Sequence, residues 1–242
     1  MTTPVNQTIS TRVYGWGGWL SGLLFPPTCL VCSEPGVAGR DACPACLASL
    51  PWLERGCRRC ALPLPVVETA DALCGACRQS ASPLERVQAA FLYDAPVDGL
   101  LRRFKFHHDL AAGRLLSQLM AERLAGVDRP QALVPVPLHA SRLRRRGYDQ
   151  ALELARPLAR HLGLPLVTGL RRVRATAAQS ELDAATRRRN LRNAFAAAGP
   201  LPAHVALVDD VMTTGATVQA AARALRRAGV ARVDAWVCAR VP

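Results

Sequence analysis

The spacing of apolar residues divides the chain into stretches with different periods. Over residues 86–242, short continuous apolar runs take turns with runs at helical spacing. Val87–Tyr93 predicts a strand, and Val97–Arg103 and Leu110–Leu124 predict helices; Leu110, Leu115, Leu116, Leu119 and Leu124 share one helical stripe. Leu133–Val136 predicts a short buried strand ended by Pro137, and Asp149–Leu162 a helix closed by Gly163 and Pro165. Ala203–Val208 predicts a further strand, Thr217–Ala228 a helix stopped by Gly229, and Arg232–Val241 a last strand. This alternation is the pattern of an α/β domain with a mostly parallel sheet and flanking helices.

The first third of the chain follows neither period. Residues 29–85 are rich in Cys, Pro and Gly and have too few long apolar stretches to build a core from side-chain burial alone. Residues 1–28 form an apolar leader whose run Trp16–Phe25 predicts a short amphipathic helix docked on the body. That run lacks a basic flank and ends in Pro26-Pro27 rather than a small-residue cleavage site, so it does not read as a signal peptide. No apolar run reaches the roughly 18–20 residues a spanning helix needs. Three segments are therefore expected (1–28, 29–85 and 86–242) in a cytoplasmic protein without stable membrane insertion.

The cysteines explain how residues 29–85 fold without a core. Eight of nine fall into four Cys-x-x-Cys pairs, Cys29/Cys32, Cys43/Cys46, Cys57/Cys60 and Cys74/Cys77, separated by ten, ten and thirteen residues. Each pair sits on a tight turn with both sulfurs to one side, and two such turns close a tetrahedral thiolate site around Zn²⁺. Disulfides fit poorly with a chain showing no export signal. A redox Cys-x-x-Cys would occur once, beside a βαβ unit. An iron–sulfur cluster uses the same ligands and is left open by spacing alone. Two structural zinc ions are expected, most simply on Cys29/Cys32/Cys43/Cys46 and Cys57/Cys60/Cys74/Cys77, although spacing also allows a crossed pairing. Cys238 stands in an apolar strand and reads as core.

Charge narrows the function of the second half. The chain carries 31 basic and 18 acidic residues, for a net charge of +13. Residues 1–85 hold six of each sign, so residues 86–242, with 25 basic and 12 acidic side chains, carry the whole excess. The densest band, 142–192, has thirteen arginines against four acids. Such a band attracts phosphate-bearing partners, small or polymeric. Thirty of the 31 basic residues are arginine, a bias that a GC-rich genome produces, so arginine is not itself a signal.

The chemistry concentrates in Val205-Ala206-Leu207-Val208-Asp209-Asp210-Val211-Met212-Thr213-Thr214-Gly215-Ala216-Thr217. An apolar strand delivers two carboxylates at its end, a loop of small residues follows, and a helix begins. Open α/β sheets bind ligands at such carboxyl edges. The loop can turn N–H groups and hydroxyls inward at a helix N-terminus, forming an anion nest, and Gly215 allows a positive φ and a close backbone approach. Two acids beside an anion site make sense when the ligand also carries vicinal hydroxyls, as a ribose 5-phosphate does.

In these residues the chain resembles the type I phosphoribosyltransferases, and more specifically the ComF family of competence-associated proteins. The resemblance also rests on Val134-Pro135-Val136-Pro137-Leu138-His139, Arg142, Arg146-Gly147-Tyr148-Asp149-Gln150, Gln179, Arg187, Asn190 and Phe195, on Arg103-Phe104-Lys105-Phe106, and on the cysteine array. It covers nearly the whole chain from about residue 23. At Tyr148-Asp149 the chain departs from the more usual Phe-Asn, which removes an amide donor.

The resemblance implies a sheet of four or five strands and a site for 5-phosphoribosyl-1-pyrophosphate (PRPP). Asp209 and Asp210 would meet the ribose hydroxyls, and Thr213, Thr214, Gly215, Ala216 and Thr217 the 5-phosphate. The loop of Pro137, Leu138, His139 and Arg142, with Lys105, would meet the pyrophosphate, and Mg²⁺ would arrive with PRPP. Arg146, Gly147, Gln150, Gln179, Arg187 and Asn190 are further candidates from the shared motifs. Three functions compete: an active phosphoribosyltransferase, a module binding single-stranded DNA during uptake together with other competence proteins, and a PRPP-responsive regulator. The clusters Arg142/Arg144/Arg145/Arg146 and Arg187/Arg188/Arg189/Arg192 suit a polyanion, though a solvated helix face has the same composition. Only Tyr148 and Phe195 lie near them as stacking platforms. His107-His108 reads as solvated surface.

Overall fold

The computed structural model describes residues 26–37, 39–65, 71–174 and 193–242. The expected leader helix, and Gln179, Arg187 and Asn190 with the second arginine cluster, lie outside them. The chain divides into two compact units, 1–49 and 50–242. One cysteine quartet falls in each.

In the first unit, turns bring Cys29/Cys32 and Cys43/Cys46 together. Its helix α1 (Pro44–Ala48) starts on a proline, and the Cys43 thiol caps it by accepting from the Cys46 N–H. A residue whose side chain accepts at the N-cap leaves one fewer orphan donor in the first turn.

The second unit is built on four parallel strands, β1 (Val87–Leu92), β2 (Ala132–Pro135), β5 (His204–Met212) and β6 (Arg232–Arg240), in the order β1-β6-β5-β2. Short strands β3 (Leu170–Arg172) and β4 (Phe195–Ala197) form a separate antiparallel ribbon. The helices are α2 (Gly75–Arg78), α3 (Val97–Phe106), α4 (Leu110–Leu124), α5 (Ala140–Arg146), α6 (Gln150–Leu162) and α7 (Ala216–Arg227). Strands covered on both faces need apolar residues at successive positions, and β6 is buried from Val233 to Arg240.

Alternation along the strands assigns the two faces. Val205 and Leu207 of β5 join Val233, Ala235 and Val237 of β6 in one cluster with Val218, Ala221, Ala222 and Leu225 of α7 and with Leu170 and Phe195 of the ribbon. Leu53, Ala61 and Leu84 belong to the same cluster, so the segment carrying the second cysteine quartet is part of this core. Helices α4 and α6 pack on each other and on the strands, with Ser117 Oγ donating to the Leu154 carbonyl at 3.0 Å.

Among the described residues the predicted elements match the observed ones to within a few residues, with one consequential difference. Strand β5 continues past Val208 to Met212, so both acids are strand residues rather than the first residues of a loop. Parallel pairing with β6 explains the extension, because Asp209, Val211 and Met212 are in register with Val237, Ala239 and Arg240. Cys238 is fully buried, as expected of a core residue. Among the described residues no helix is long and apolar enough to cross a membrane.

Candidate functional site

The carboxyl ends of β2 and β5 open on a cavity of about 200 Å³. Its walls come from five places: Lys105 on α3, Val136–Leu138 after β2, Arg142 and Arg146 on α5, Asp149–Ala151 at the start of α6, and Arg172 on the ribbon. Asp209, Asp210, Val211 and Thr217 complete it. Neighbouring strand residues point to opposite faces, and the two acids do so here. Asp209 follows the parity of Leu207, toward the ribbon, and Asp210 that of Val208, toward α3. Both reach one cavity because it lies across the strand end.

Lys105 serves both acids, and Arg172 adds to it at Asp209. Lys105 Nζ lies 3.0 Å from Asp210 Oδ2, and both side chains are largely buried. Arg172 acts electrostatically on Asp209 from the other side. Burial, and then the charge of Asp210, push Asp209 up to about 8, against the opposing pull of the Asp210 N–H and of Lys105. Burial also raises Asp149, more than the N–H groups of Leu138, Leu152 and Ala151 lower it. Arginines crowd the opposite wall. Burial lowers Arg142, with repulsion from Arg146 and Arg145 adding to it, and burial lowers Arg172, with repulsion from Arg142. Three acids and converging cations in one cavity suit a ligand that is part polyol and part anion.

Past β5 the chain turns into α7 through Thr213, Thr214 and Gly215. Gly215 is the N-cap, with φ of 74° and no side-chain cap, and Thr214 Oγ1 accepts the Ala216 N–H at 3.4 Å. A β-carbon on Gly215 would lie 2.4 Å from Met212 Cε. The loop therefore rests on the Met212 side chain with helix N–H groups ahead of it, and Thr217 is its residue lining the cavity.

The other sequence candidates separate by role. Pro137, Leu138, Arg142 and Lys105 line the cavity, whereas His139 is not among its lining residues; its ring meets Ser141 Oγ at 2.8 Å and accepts the Ser141 N–H, capping α5. Arg146 donates to Gln150 Oε1 at 2.9 Å and lies over the Phe106 ring. Gly147 ends α5 in the left-handed conformation, φ 77°. Asp149 uses one carboxylate oxygen to accept from Leu138 N–H at 2.8 Å and the other to accept from Leu152 N–H. The carboxylate at this departure from the family pattern thus caps α6 and pins the loop after β2. Sequence reasoning missed Arg172, whose guanidinium stacks on Phe195; its one local signal is the polar position in a short strand between Leu170 and the exposed Val173.

The cysteines meet as two quartets, Cys29/Cys32/Cys43/Cys46 and Cys57/Cys60/Cys74/Cys77, each with its ligand atoms within 4.8 Å of one another. Four thiolates at about 2.3 Å from a tetrahedral zinc stand about 3.8 Å apart. The distances Cys32 Sγ to Cys43 Sγ, 3.6 Å, and Cys60 Sγ to Cys74 Sγ, 3.7 Å, fit that edge. Burial pushes the Cys29 and Cys57 thiols up, but backbone N–H donors and the neighbouring Cys32 and Cys60 thiols outweigh it and hold them at about 6 and about 7. Cys46, by contrast, is raised by hydrogen bonding with Cys32 and Cys43, and Cys60 and Cys77 are raised by burial. Among the described residues these quartets are the only groups of three or more potential metal ligands within such reach.

Residues 149–242 match the phosphoribosyl transferase domain, and residues 20–78 match the double zinc ribbon domain. The fold and the cysteine quartets thus define a phosphoribosyltransferase-type α/β domain preceded by a zinc ribbon. The DNA utilization protein YhgH of Salmonella typhimurium is 37% identical over 227 residues, spanning 90% of this chain and 99% of that protein. Competence protein F of Haemophilus influenzae is 37% identical over 178 residues, 69% of this chain and 78% of that one. A solved structure of the allosteric regulatory enzyme of purine biosynthesis aligns with 52% of this chain and 25% of its own, at 22% identity and a TM-score of 0.37. The chain belongs to the ComF family.

Proposed function

We propose that the cavity binds PRPP and that the protein is a phosphoribosyltransferase acting in DNA utilization or uptake. The observation that carries the reading is that Asp209, Asp210 and Thr217 share one cavity with Arg142, Arg146 and Arg172. The acids accept from the ribose hydroxyls, and the loop from Thr213 to Thr217 holds the 5-phosphate. The arginines face the pyrophosphate. In the reaction the bond from C1 to the pyrophosphate oxygen breaks, its electron pair leaves with pyrophosphate, and an acceptor nucleophile bonds to C1. Arginines already converging on that wall stabilise the departing charge without reorganising. Mg²⁺ would come with the ligand, held by its phosphates, and would supply charge neutralisation of the departing pyrophosphate.

The process follows from the names of the relatives and from one feature of the surface. Helix α5 has no buried residue and exposes Arg144 and Arg145, so its basic face is available to a polyanion such as single-stranded DNA. Replacing Asp209 and Asp210 together by Asn should abolish PRPP·Mg²⁺ binding in calorimetry and leave the circular dichroism spectrum unchanged. Unaltered affinity in a folded double variant would overturn the proposal.

A further inference from the structure

Arg240 lies near the end of β6 and is only 8% exposed. Buried arginines ordinarily answer to a carboxylate, because an unpaired buried charge is expensive. Among the described residues this guanidinium instead donates to carbonyls from three segments. Nε donates to Cys60 O at 2.8 Å, and Nη1 donates to Met212 O at 3.3 Å and to Val241 O. An apolar side chain would fill the same core position without bringing a charge into it, so the guanidinium is there for its hydrogen bonds.

Two of those carbonyls, of Cys60 and Met212, belong to places the chain keeps apart in sequence. Cys60 is a thiol of the second quartet and packs on the sheet core. Met212 is the floor of the phosphate loop: its carbonyl also accepts the Val241 N–H at 3.0 Å, and its methyl group lies under Gly215. The quartet segment is also fastened to the sheet where the Arg58 carbonyl accepts the Val87 N–H at 2.7 Å. A path of direct contacts therefore runs from a thiolate turn through one guanidinium to the residue under the loop glycine.

We propose that Arg240 is a positioning residue that couples metal occupancy of the Cys57/Cys60/Cys74/Cys77 site to the order of the Thr213–Thr217 loop, so that zinc there tightens anion binding and anion binding tightens zinc. Zinc fixes the turn that presents Cys60 O, Arg240 transmits that position to Met212 O, and the loop above Met212 keeps its N–H groups aimed at the ligand. Coupling of this kind is reciprocal by necessity. Only the ligand arm of the test rests on the proposed function.

The test compares the full chain with Arg240→Met, each zinc-loaded and zinc-stripped, by amide hydrogen exchange over residues 211–217, with α4 as the internal control. Stripping zinc should speed exchange of the wild-type loop about tenfold, toward the low end of the usual range for coupling between sites, and α4 should stay protected. Zinc-loaded Arg240→Met should already exchange at the stripped rate, and stripping it should add nothing. Additive effects of the two changes would overturn the coupling, because a merely structural arginine acts independently of the metal. Should stripping unfold α4, the zinc-loaded forms decide through metal release to a chromogenic chelator, faster in Arg240→Met if the coupling holds and equal if it does not. Arg240→Lys, which retains a donor, covers the case in which the Met variant fails to fold. In the ligand arm, PRPP·Mg²⁺ should slow zinc release from the wild type and not from Arg240→Met. No PRPP binding to the wild type in calorimetry would overturn the proposed ligand while the exchange arms still judge the coupling.

Discussion

Asp209 stands where its surroundings resist a negative charge. Burial and Asp210 raise it to about 8, while Lys105 on α3 and Arg172 on the ribbon pull the other way and Asp149 ahead of α6 adds to the rise. A carboxyl with a raised folded pKa binds a proton that the unfolded chain has already released between about pH 4 and pH 8. It therefore makes folding less favourable as pH rises across that window. Ligand binding reverses the preference, because hydroxyl donors favour the anion. PRPP affinity measured by calorimetry should therefore rise between about pH 6.5 and 8.5 with release of close to one proton, the window set by the raised pKa. Asp209→Asn should remove that slope even where weak binding survives. A wild-type affinity that is flat with pH, or a slope that Asp209→Asn retains, would show that ligand binding does not draw on this proton.

Elements whose information is local are legible in the sequence, and elements created by tertiary contact are not. Helix α4 is legible to the residue because four leucines of its stripe, Leu115, Leu116, Leu119 and Leu124, are buried, while Leu110 at its first position is exposed. The Asp209–Thr217 run is legible because strand, acids, glycine and helix start are consecutive. Helix α5 has no apolar stripe, since none of its residues is buried, and so it leaves no period to find. The ribbon strands are three residues each, and Arg172 enters the cavity only because β3 pairs with β4. Sequence pattern ends β5 four residues early because carboxylates look like loop residues, while pairing with β6 carries them in the strand. Asp149 shows how one element builds another's site, since it caps α6 and holds the Leu138 N–H of the loop that presents Arg142. Asp149→Ala should lower stability in urea by roughly 0.5–2 kcal/mol, the usual range for a lost N-cap. It should also weaken pyrophosphate binding more than phosphate binding, because the loosened loop faces the leaving group. Equal weakening of both ligands would place Asp149 outside that task.

Across the whole molecule, eight cysteines that form one uninterrupted array in sequence serve two different compact units. The quartet of Cys29, Cys32, Cys43 and Cys46 stands among turns and a helix of five residues, where little apolar surface is available. The other quartet is joined to the sheet domain by Leu53, Ala61 and Leu84 in the shared core, by the Arg58–Val87 hydrogen bond, and by Arg240. Metal binding is folding free energy wherever the site exists only in the folded chain. Zinc lost from the first quartet should therefore unfold its own turns, and zinc lost from the second should destabilise the sheet. Metal analysis should return about two zinc per wild-type chain and about one in either Cys43→Ser or Cys57→Ser, as two four-thiolate sites require. The melting transition of the sheet domain, followed by the near-ultraviolet signal of Trp236 in β6 and Trp52 against Phe91, should fall in Cys57→Ser and hold in Cys43→Ser. Equal melting in the two variants would mean that the second quartet contributes no more to the sheet than the first, and the contacts through Leu53, Ala61 and Arg240 would then be packing without mechanical consequence.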